Sequence, residues 1–405
     1  MNDMLNHAYR HGYAVGAFDL VSLDFLEGIL AAAENCRAPV ILSLAESHFE
    51  HYDFDLLMAA TQAAARRASV PVAINLDHGA SLASAEHAIR AGCNGVMVDA
   101  SALPFQENLR QTRDIVAMAH ACGVTVEGEL GYVPGVEGES AEKHPGEIAY
   151  TSATEAKVYV ERSGVDCLAV SVGTVHGRMR GTPKLDYARL AKINEAVGIP
   201  LVIHGGTGLS DDQFRRLIAS GVAKINYFTA LADAAGKRIK ENVAASLQGG
   251  YSALLTGVRA AVRDETERCI RLWGSGGRAA EVLEQCRPWQ EVEHVVFYNV
   301  PADLSEGEVA SIMRQGKESL QAIPGVRNIR AGRALQPDGK YRYCWLIGLS
   351  GQPAVEAYRK HPAHLRFANR VFRPVAADRI TLDFEEIEPS RVALAAPPAK
   401  RVAQG

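Results

Sequence analysis

The sequence predicts an α/β protein: a (β/α)8 TIM barrel followed by a small ferredoxin-like α+β domain. Three observations carry this. Eight short apolar runs, separated by helix-like segments, occur before residue 230. The residues able to do chemistry fall at the ends of those runs. After residue 278 the repeat stops and a βαββαβ-like order begins. Eight strand–helix repeats with short connections are the sequence form of a closed barrel, and the later order is that of a ferredoxin-like module.

In chain order the runs are YAVGAF (13–18), PVILSL (39–44), PVAINL (71–76), GVMV (95–98), VTVEGEL (124–130), CLAVSV (167–172), PLVIH (200–204) and VAKIN (222–226). Runs of this kind suit parallel strands buried on both faces. Ser22 stands three residues ahead of Phe25 and starts the helix after the first run. Ser210-Asp-Asp-Gln213 is a capping box opening the helix before the eighth. A doubly wound open sheet is the main rival, and the count of eight disfavours it. The barrel is assigned to residues 1–281, a linker to 282–292, the small domain to 293–386 and a disordered Ala/Pro-rich tail to 387–405. Within the small domain, strands are expected at 294–300, 326–333, 341–349 and 380–384. Helices are expected at 304–322 and from Pro353 through Pro374.

A chain of 405 residues with 47% hydrophobic content can hold a large barrel and a smaller module. The net charge of −4 gives no reason to expect nucleic acid or an anionic membrane as partner. No stretch approaches the roughly 20 apolar residues needed to span a bilayer, and the N-terminal segment lacks the apolar core of a secretory signal. The seven cysteines are odd in number, scattered and without CxxC spacing, which fits a cytoplasmic protein with reduced thiols.

Asp77 and His78 follow the third run, Asp99 the fourth, and Glu129 lies in the fifth. His176 follows the sixth, His204 ends the seventh and Asn226 ends the eighth. Barrel enzymes place their chemistry at these strand ends. A single such residue is ordinarily a satisfied polar group; so many on one rim point to an active site. His78, His176 and His204 each precede a glycine, and three imidazoles with one open position suit a catalytic zinc. Gly205, Gly206 and Thr207, with Gly177, offer backbone N–H groups to an anion. Asn226 and Thr229 open the helix after the eighth run, where the helix dipole favours a phosphate. The long connection Gly131–Thr151 reads as a binding loop over this rim. Lys224 is a weaker alternative centre, as a Schiff-base former.

The stretches YAVGAF, LDHG, VMVDAS, VEGELG, GTVHG, HGGTGL, AKINYFT and the late Gly274-Ser275 occur in one order across residues 1 to about 281. In this they resemble the class II, metal-dependent ketose-bisphosphate aldolases, the fructose- and tagatose-bisphosphate aldolase family. The resemblance implies reversible cleavage of a ketose phosphate, a small-molecule sugar phosphate, into dihydroxyacetone phosphate and an aldehyde. It makes His78, His176 and His204 zinc ligands, and Asp99 and Glu129 a second metal position for a divalent or monovalent cation. Asp77 becomes the acid/base on the hydroxyl that turns into the aldehyde, with orienting a neighbouring metal ligand as its lesser role. Glu137 matches the glutamate that moves the proton on carbon, in a loop (PGVEGE) that departs from the family's Gly-Gly-x-Glu-Asp. Gly177, Gly205, Gly206, Thr207, Asn226 and Thr229 fall on the dihydroxyacetone-phosphate site, with threonine for the more usual serine. The chemistry agrees, since cleavage beside a carbonyl leaves an enediolate that a Lewis acid stabilises.

Three departures stand out against that family. Asp19 replaces an asparagine near the substrate, Ala45-Glu46-Ser47-His48 replaces a serine-bearing stretch, and Ser252 stands where relatives carry a phosphate-binding arginine. Serine cannot replace a bidentate guanidinium clamp, so an unphosphorylated aldehyde half is expected. A fructose- or tagatose-1,6-bisphosphate aldolase proper is the alternative. A metal-dependent sugar-phosphate isomerase or epimerase is the alternative of another class, and a non-catalytic sugar-phosphate sensor a weaker third. HVVFYNV (294–300), IPGV (323–326) and HPAHLRF (361–367) resemble the stress-responsive dimeric α/β-barrel domain. That resemblance implies assembly into a homodimer or homotetramer. A second reading uses His294, His361 or His364 as acid/base groups on another substrate, because related small domains include cyclases.

Overall fold

The computed structural model describes residues 1–135, 148–178, 183–245, 249–376 and 378–385. The chain divides into two compact units, Met1–Trp289 and Gln290–Gly405. In the first, the eight apolar runs form a closed parallel barrel. Its strands are β1 (Val15–Asp19), β2 (Val40–Ala45), β3 (Val72–Gly79), β4 (Gly95–Val98), β5 (Thr125–Leu130), β6 (Cys167–Val170), β7 (Leu201–Ile203) and β8 (Val222–Tyr227). β8 pairs back onto β1, with Asn226 beside Ala17.

Alternation along each strand sorts the side chains. Phe18, Leu42, Ile74, Val96, Val126 and Ile225 join the apolar layer beneath the helices. Val15, Ala17, Ile41, Ala73, Cys167, Ala169 and Val202 form a separate cluster, the barrel floor. Towards the strand ends the buried residues of that second set become polar: Asp19, Ser43, Asn75, Asp77, Glu127, Glu129, Lys224 and Asn226. An apolar floor beneath a polar upper layer leaves the chemistry only one open end.

The floor is sealed by a helix that the sequence reading does not assign, Asn2–His11. Met4, Leu5 and Ala8 pack against Val15, Ile41 and Val202, and a Cβ on Gly95 would lie 2.4 Å from Met1 Cε. The Asn2 side chain donates to Asp166 (3.0 Å), fixing the helix to the barrel. The two predicted helix starts are present: Ser22 accepts from the Phe25 amide, and Ser210 with Gln213 forms a reciprocal capping box. A helix Ala279–Gln285 extends into the stretch read as linker and buries Val282 against the floor. Among the described residues no helix is long and apolar enough to cross a membrane.

The second unit is a four-stranded antiparallel sheet, β9 (Val292–Tyr298), β10 (Val326–Arg333), β11 (Tyr343–Leu349) and β12 (Arg379–Glu385), in the order β10-β11-β9-β12. One face packs beneath the helix Glu306–Gln321 and the segments after β11. The single helix expected from Pro353 through Pro374 is instead two, Gln352–Lys360 and Pro362–Phe367, with a short π-type turn at Ala368–Phe372. The break is at His361, held extended (φ −64°, ψ 135°) ahead of Pro362. A proline disfavours helical geometry in the residue before it and supplies no N–H of its own. The expected tail lies outside the described residues.

Candidate active site

Consecutive residues of a regular strand face opposite ways, yet Asp77 and His78 both serve the barrel mouth. A bulge resolves this. Leu76 and Gly79 of β3 pair with Val96 and Val98 of β4, three steps against two. His78 absorbs the extra residue with φ 45°, a left-handed conformation rare for a non-glycine residue. Such strain costs about 1–3 kcal/mol and is found mostly at functional positions. A second bulge lies between β7 and β8, where Leu201 and Val202 pair with Val222 and Lys224. It places Lys224 in the barrel interior, against Glu127.

The three histidines meet. His204 Nδ1 lies 2.9 Å from His78 Nε2 and 3.4 Å from His176 Nε2. The opposite nitrogen of each ring faces an acceptor: Asp99 Oδ2 for His78 at 3.1 Å, the Val133 carbonyl for His176 at 3.1 Å, and Glu127 Oε1 for His204 at 2.9 Å. A carboxylate or carbonyl can only accept, so each outer nitrogen carries the proton. A cation taking the place of the inward His78 proton would then meet three inward lone pairs. Tetrahedral coordination at 2.0–2.1 Å places ligand nitrogens about 3.3–3.4 Å apart; the His176–His204 separation of 3.4 Å matches this, and the His78–His204 separation of 2.9 Å is shorter. The donor set therefore fits a borderline divalent metal, with outer-nitrogen partners of the kind that orient metal-bound imidazoles. His78, Asp99 and Glu129 form an overlapping second group within ligating distance.

The electrostatics agree. Burial and the neighbouring imidazoles press His176 down to about 3, so its ring is neutral. Burial opposes charge on His78 as well, but Asp77 and the Asp99 hydrogen bond outweigh it and raise its pKa. Positive charge is thus favoured on His78 and opposed on His176. Burial, then Asp99, lifts Glu129 to about 7, and its Oε2 has no hydrogen-bond partner among the described residues.

Glu127 is the residue the sequence reading passed over. Its Oε1 faces His204, and its Oε2 meets Lys224 Nζ at 2.7 Å. Lys224 donates onward to Asn226 Oδ1 (2.6 Å), and Asn226 Nδ2 donates to Asp77 Oδ1 (2.8 Å). An ammonium only donates, which fixes the amide orientation and aims its N–H at Asp77. The buried chain His204–Glu127–Lys224–Asn226–Asp77 thus joins one histidine of the cluster to the carboxylate beside another. Against burial, His78, His204 and Lys224 hold Asp77 below the usual carboxylate range. Lys224 stays charged, its pKa raised by Glu127 and Asp77 in spite of burial. An ammonium so held is no Schiff-base nucleophile, which requires a neutral amine. The available signal was Glu127 and Glu129 two apart in a fully buried strand, both on one face.

Asp19 ends β1 and is buried. Gly177 and Gly205 adopt positive φ (79° and 69°). A Cβ on Gly205 would sit 2.1 Å from the Val175 carbonyl oxygen, so glycine is needed there for close approach of two loops. Gly206 and Thr207 follow in the same turn, and Thr229 opens the helix Thr229–Ala245, fully buried. Asn226 faces Asp77 and Lys224 with both amide atoms. Ser252 is exposed on the short helix Tyr251–Leu254. Glu137 lies outside the described residues.

Comparison with known proteins finds relatives for the barrel and for the second unit. The family profile for "Fructose-bisphosphate aldolase class-II" covers residues 1–278, and that for "Stress responsive A/B Barrel Domain" covers residues 292–386. The fructose-bisphosphate aldolase of Geobacillus stearothermophilus is 41% identical over 285 residues, 69% of this chain and 98% of that protein. A probable fructose-bisphosphate aldolase of Bacillus subtilis is 39% identical over 283 residues, again 69% and 98%. Among solved structures, the YdjI aldolase of Escherichia coli K12 aligns with a TM-score of 0.61 at 33% identity, covering 69% of this chain and 98% of that one. A putative fructose-1,6-bisphosphate aldolase from Coccidioides immitis aligns at 0.63 and 32%, covering 69% and 97%. With the barrel, the histidine cluster and these relatives in agreement, the chain belongs to the class II fructose-bisphosphate aldolase family of aldehyde-lyases, with a stress-responsive α/β-barrel domain fused behind it.

Proposed function

We propose a zinc-dependent aldolase that reversibly splits a ketose phosphate into dihydroxyacetone phosphate and an unphosphorylated aldehyde. The observation that carries the zinc assignment is the convergence of three imidazole nitrogens whose rings are each fixed from outside. His78, His176 and His204 would hold the zinc, whose contribution when bound would be Lewis-acid stabilisation of the negative charge left on the carbonyl half. Asp77 takes the proton of the hydroxyl that becomes the aldehyde oxygen as the adjacent carbon–carbon bond breaks. The electron pair of that bond passes to the carbon beside the carbonyl, and Glu137 delivers a proton there to complete dihydroxyacetone phosphate. Asn226 holds Asp77 Oδ1, leaving Oδ2 for the substrate. Backbone N–H groups at Gly177, Gly205, Gly206 and Thr207, with Thr229, receive the phosphate. Asp99 and Glu129 offer a second position to a divalent or monovalent cation.

The unphosphorylated half is supported by charge. The ends of β1 to β5 present Asp19, Glu46, Asp77, Asp99 and Glu129, and no lysine or arginine stands among these strand-end residues. The test is condensation of dihydroxyacetone phosphate with a panel of aldehydes, with and without chelator. Product from free aldehydes that disappears on chelation is expected; a strong preference for the aldehyde phosphate would overturn the substrate reading.

For the second unit we favour assembly into a homodimer or a homotetramer. Phe297, Ile380, Leu382 and Phe384 are between 38% and 49% exposed. The register puts Ile380 beside Phe297 and Leu382 beside Val295, on the face away from the helices. An apolar sheet face of this kind suits pairing with a second copy. The seven cysteines are free, in keeping with a cytoplasmic location.

A further inference from the structure

The turn after β2 departs from the family, and it has a specific architecture. Ala45, the last residue of β2, pairs with Asp77. The chain then makes a single 3-10 turn, Glu46–His48. Glu46 pins that turn to the loop after β3, accepting from the Ala80 amide at 2.7 Å and the Ser84 hydroxyl at 3.0 Å. His48 is thereby carried beside the bulge that presents Asp77 and His78. Its ring centroid lies 4.4 Å from that of Phe228, which follows β8. β1 lies between β8 and β2 in the barrel, so the two rings meet across the β1 end, where Asp19 stands.

Two polar atoms in and just after this turn lack partners among the described residues. His48 is 6% exposed, and its Nδ1 is buried with no hydrogen-bond partner among the described residues. The Tyr52 hydroxyl, four residues on, is buried in the same condition. Buried donors and acceptors are nearly always satisfied, and an orphan near an active site calls for a ligand group to complete it. Burial disfavours a proton on the His48 ring in spite of Asp77 nearby, and a neutral imidazole offers one donor and one acceptor.

We propose that His48 and Phe228 form the aldehyde half of the site. Phe228 supplies an apolar wall, and the imidazole hydrogen-bonds a hydroxyl of an uncharged hydroxyaldehyde held for Asp77. This rests on the aldolase reading and adds to it the residue that selects the second substrate. His48 is a specificity residue here and belongs to neither the metal cluster nor the phosphate loops.

The two half-reactions separate the possibilities. Exchange of the dihydroxyacetone-phosphate C–H proton with solvent needs the metal cluster and the proton-transfer groups, without any aldehyde. Condensation needs both halves. His48→Phe keeps the ring volume and removes both nitrogens; His48→Gln keeps a donor and an acceptor. Metal content, exchange rate and condensation kinetics are measured for both, with glyceraldehyde, its 3-phosphate and propanal. In the wild type, glyceraldehyde should be preferred over both others. In His48→Phe, exchange and metal content should hold within twofold while KM for glyceraldehyde rises about tenfold, the worth of one hydrogen bond between neutral groups. The advantage over propanal should vanish, and His48→Gln should recover part of it. An unchanged glyceraldehyde KM, or exchange and condensation falling together, would overturn the assignment. Absence of exchange in the wild type would overturn the aldolase reading beneath it, and is seen before any variant is made.

Discussion

The chain from His204 through Glu127 and Lys224 to Asp77 gives two substitutions with opposite signs on metal affinity. Glu127→Gln keeps the shape and removes the charge that holds the His204 N–H. Loss of such an outer partner weakens metal binding about 10- to 100-fold. Lys224→Met removes a positive charge from the far oxygen of the same carboxylate, 2.7 Å away. It leaves Glu127 fully negative towards His204 and takes a cation out of the field around the metal. Affinity should therefore hold or tighten. Stability should move the other way: removing one partner of a buried, hydrogen-bonded ion pair costs about 3–5 kcal/mol. The double variant should regain part of that loss, because no lone charge is left inside. Turnover should fall in Lys224→Met, since Asn226 loses the contact that aims it at Asp77. Competition with a chromophoric chelator gives the affinities, and denaturant unfolding gives the stabilities. If Glu127→Gln bound zinc within twofold of the wild type, or Lys224→Met weakened it equally, the chain would be packing alone.

Gly205→Ala should be among the most damaging single-methyl changes in the barrel, because φ is 69° and the new carbon meets the Val175 carbonyl at 2.1 Å; a loss of about 2 kcal/mol or more in unfolding free energy is expected. Dialysis against a chelator should abolish condensation and C–H exchange together, and stoichiometric zinc should restore both; undiminished turnover of metal-stripped protein would exclude the zinc reading. His120 lies 2.9 Å from Asp166, which raises its pKa above 6.5. Its charged form is favoured by folding, so its contribution is complete below about pH 6.5 and lost as pH rises through the higher folded value. The stability gap between wild type and His120→Gln should shrink over that window, and with the His120 ring half-exposed the pair should contribute no more than about 1 kcal/mol; a gap independent of pH would refute it. Removing residues 290–405 should abolish dimerisation, read by light scattering, while leaving C–H exchange intact; loss of exchange as well would mean the second unit does more than assemble.

Eight strands were legible because strands buried on both faces need continuous apolar sequence, and helix starts were legible where serine or a capping box marks them. The floor helix Asn2–His11 was not. Its apolar side is only Met4, Leu5 and Ala8, and what makes it a helix is the barrel opening that those three residues fill. The break at His361 could have been read from the proline after it. The histidine partnership was legible because each ring sits at the end of a strand-like run, and closing the barrel brings those ends together.

What pattern could not supply is the direction of side chains at irregular places. Asp77 and His78 are neighbours in sequence, and strand alternation alone would send one of them into the helix layer. The extra residue that β3 carries against β4, taken up at His78 with positive φ, puts both at the mouth. Lys224 reaches Glu127 through a similar slip between β7 and β8. Both bulges occur at the junction of apolar strand and polar rim, where the pairing loses regularity and side chains are re-aimed. His78→Gly tests whether that geometry is set by the ring or by the backbone. It relieves the left-handed strain and deletes one imidazole, so stability should hold or rise while zinc affinity collapses. A variant that lost stability along with metal would show that the His78–Asp99 contact, and not the bulge, holds this end of β3 in place.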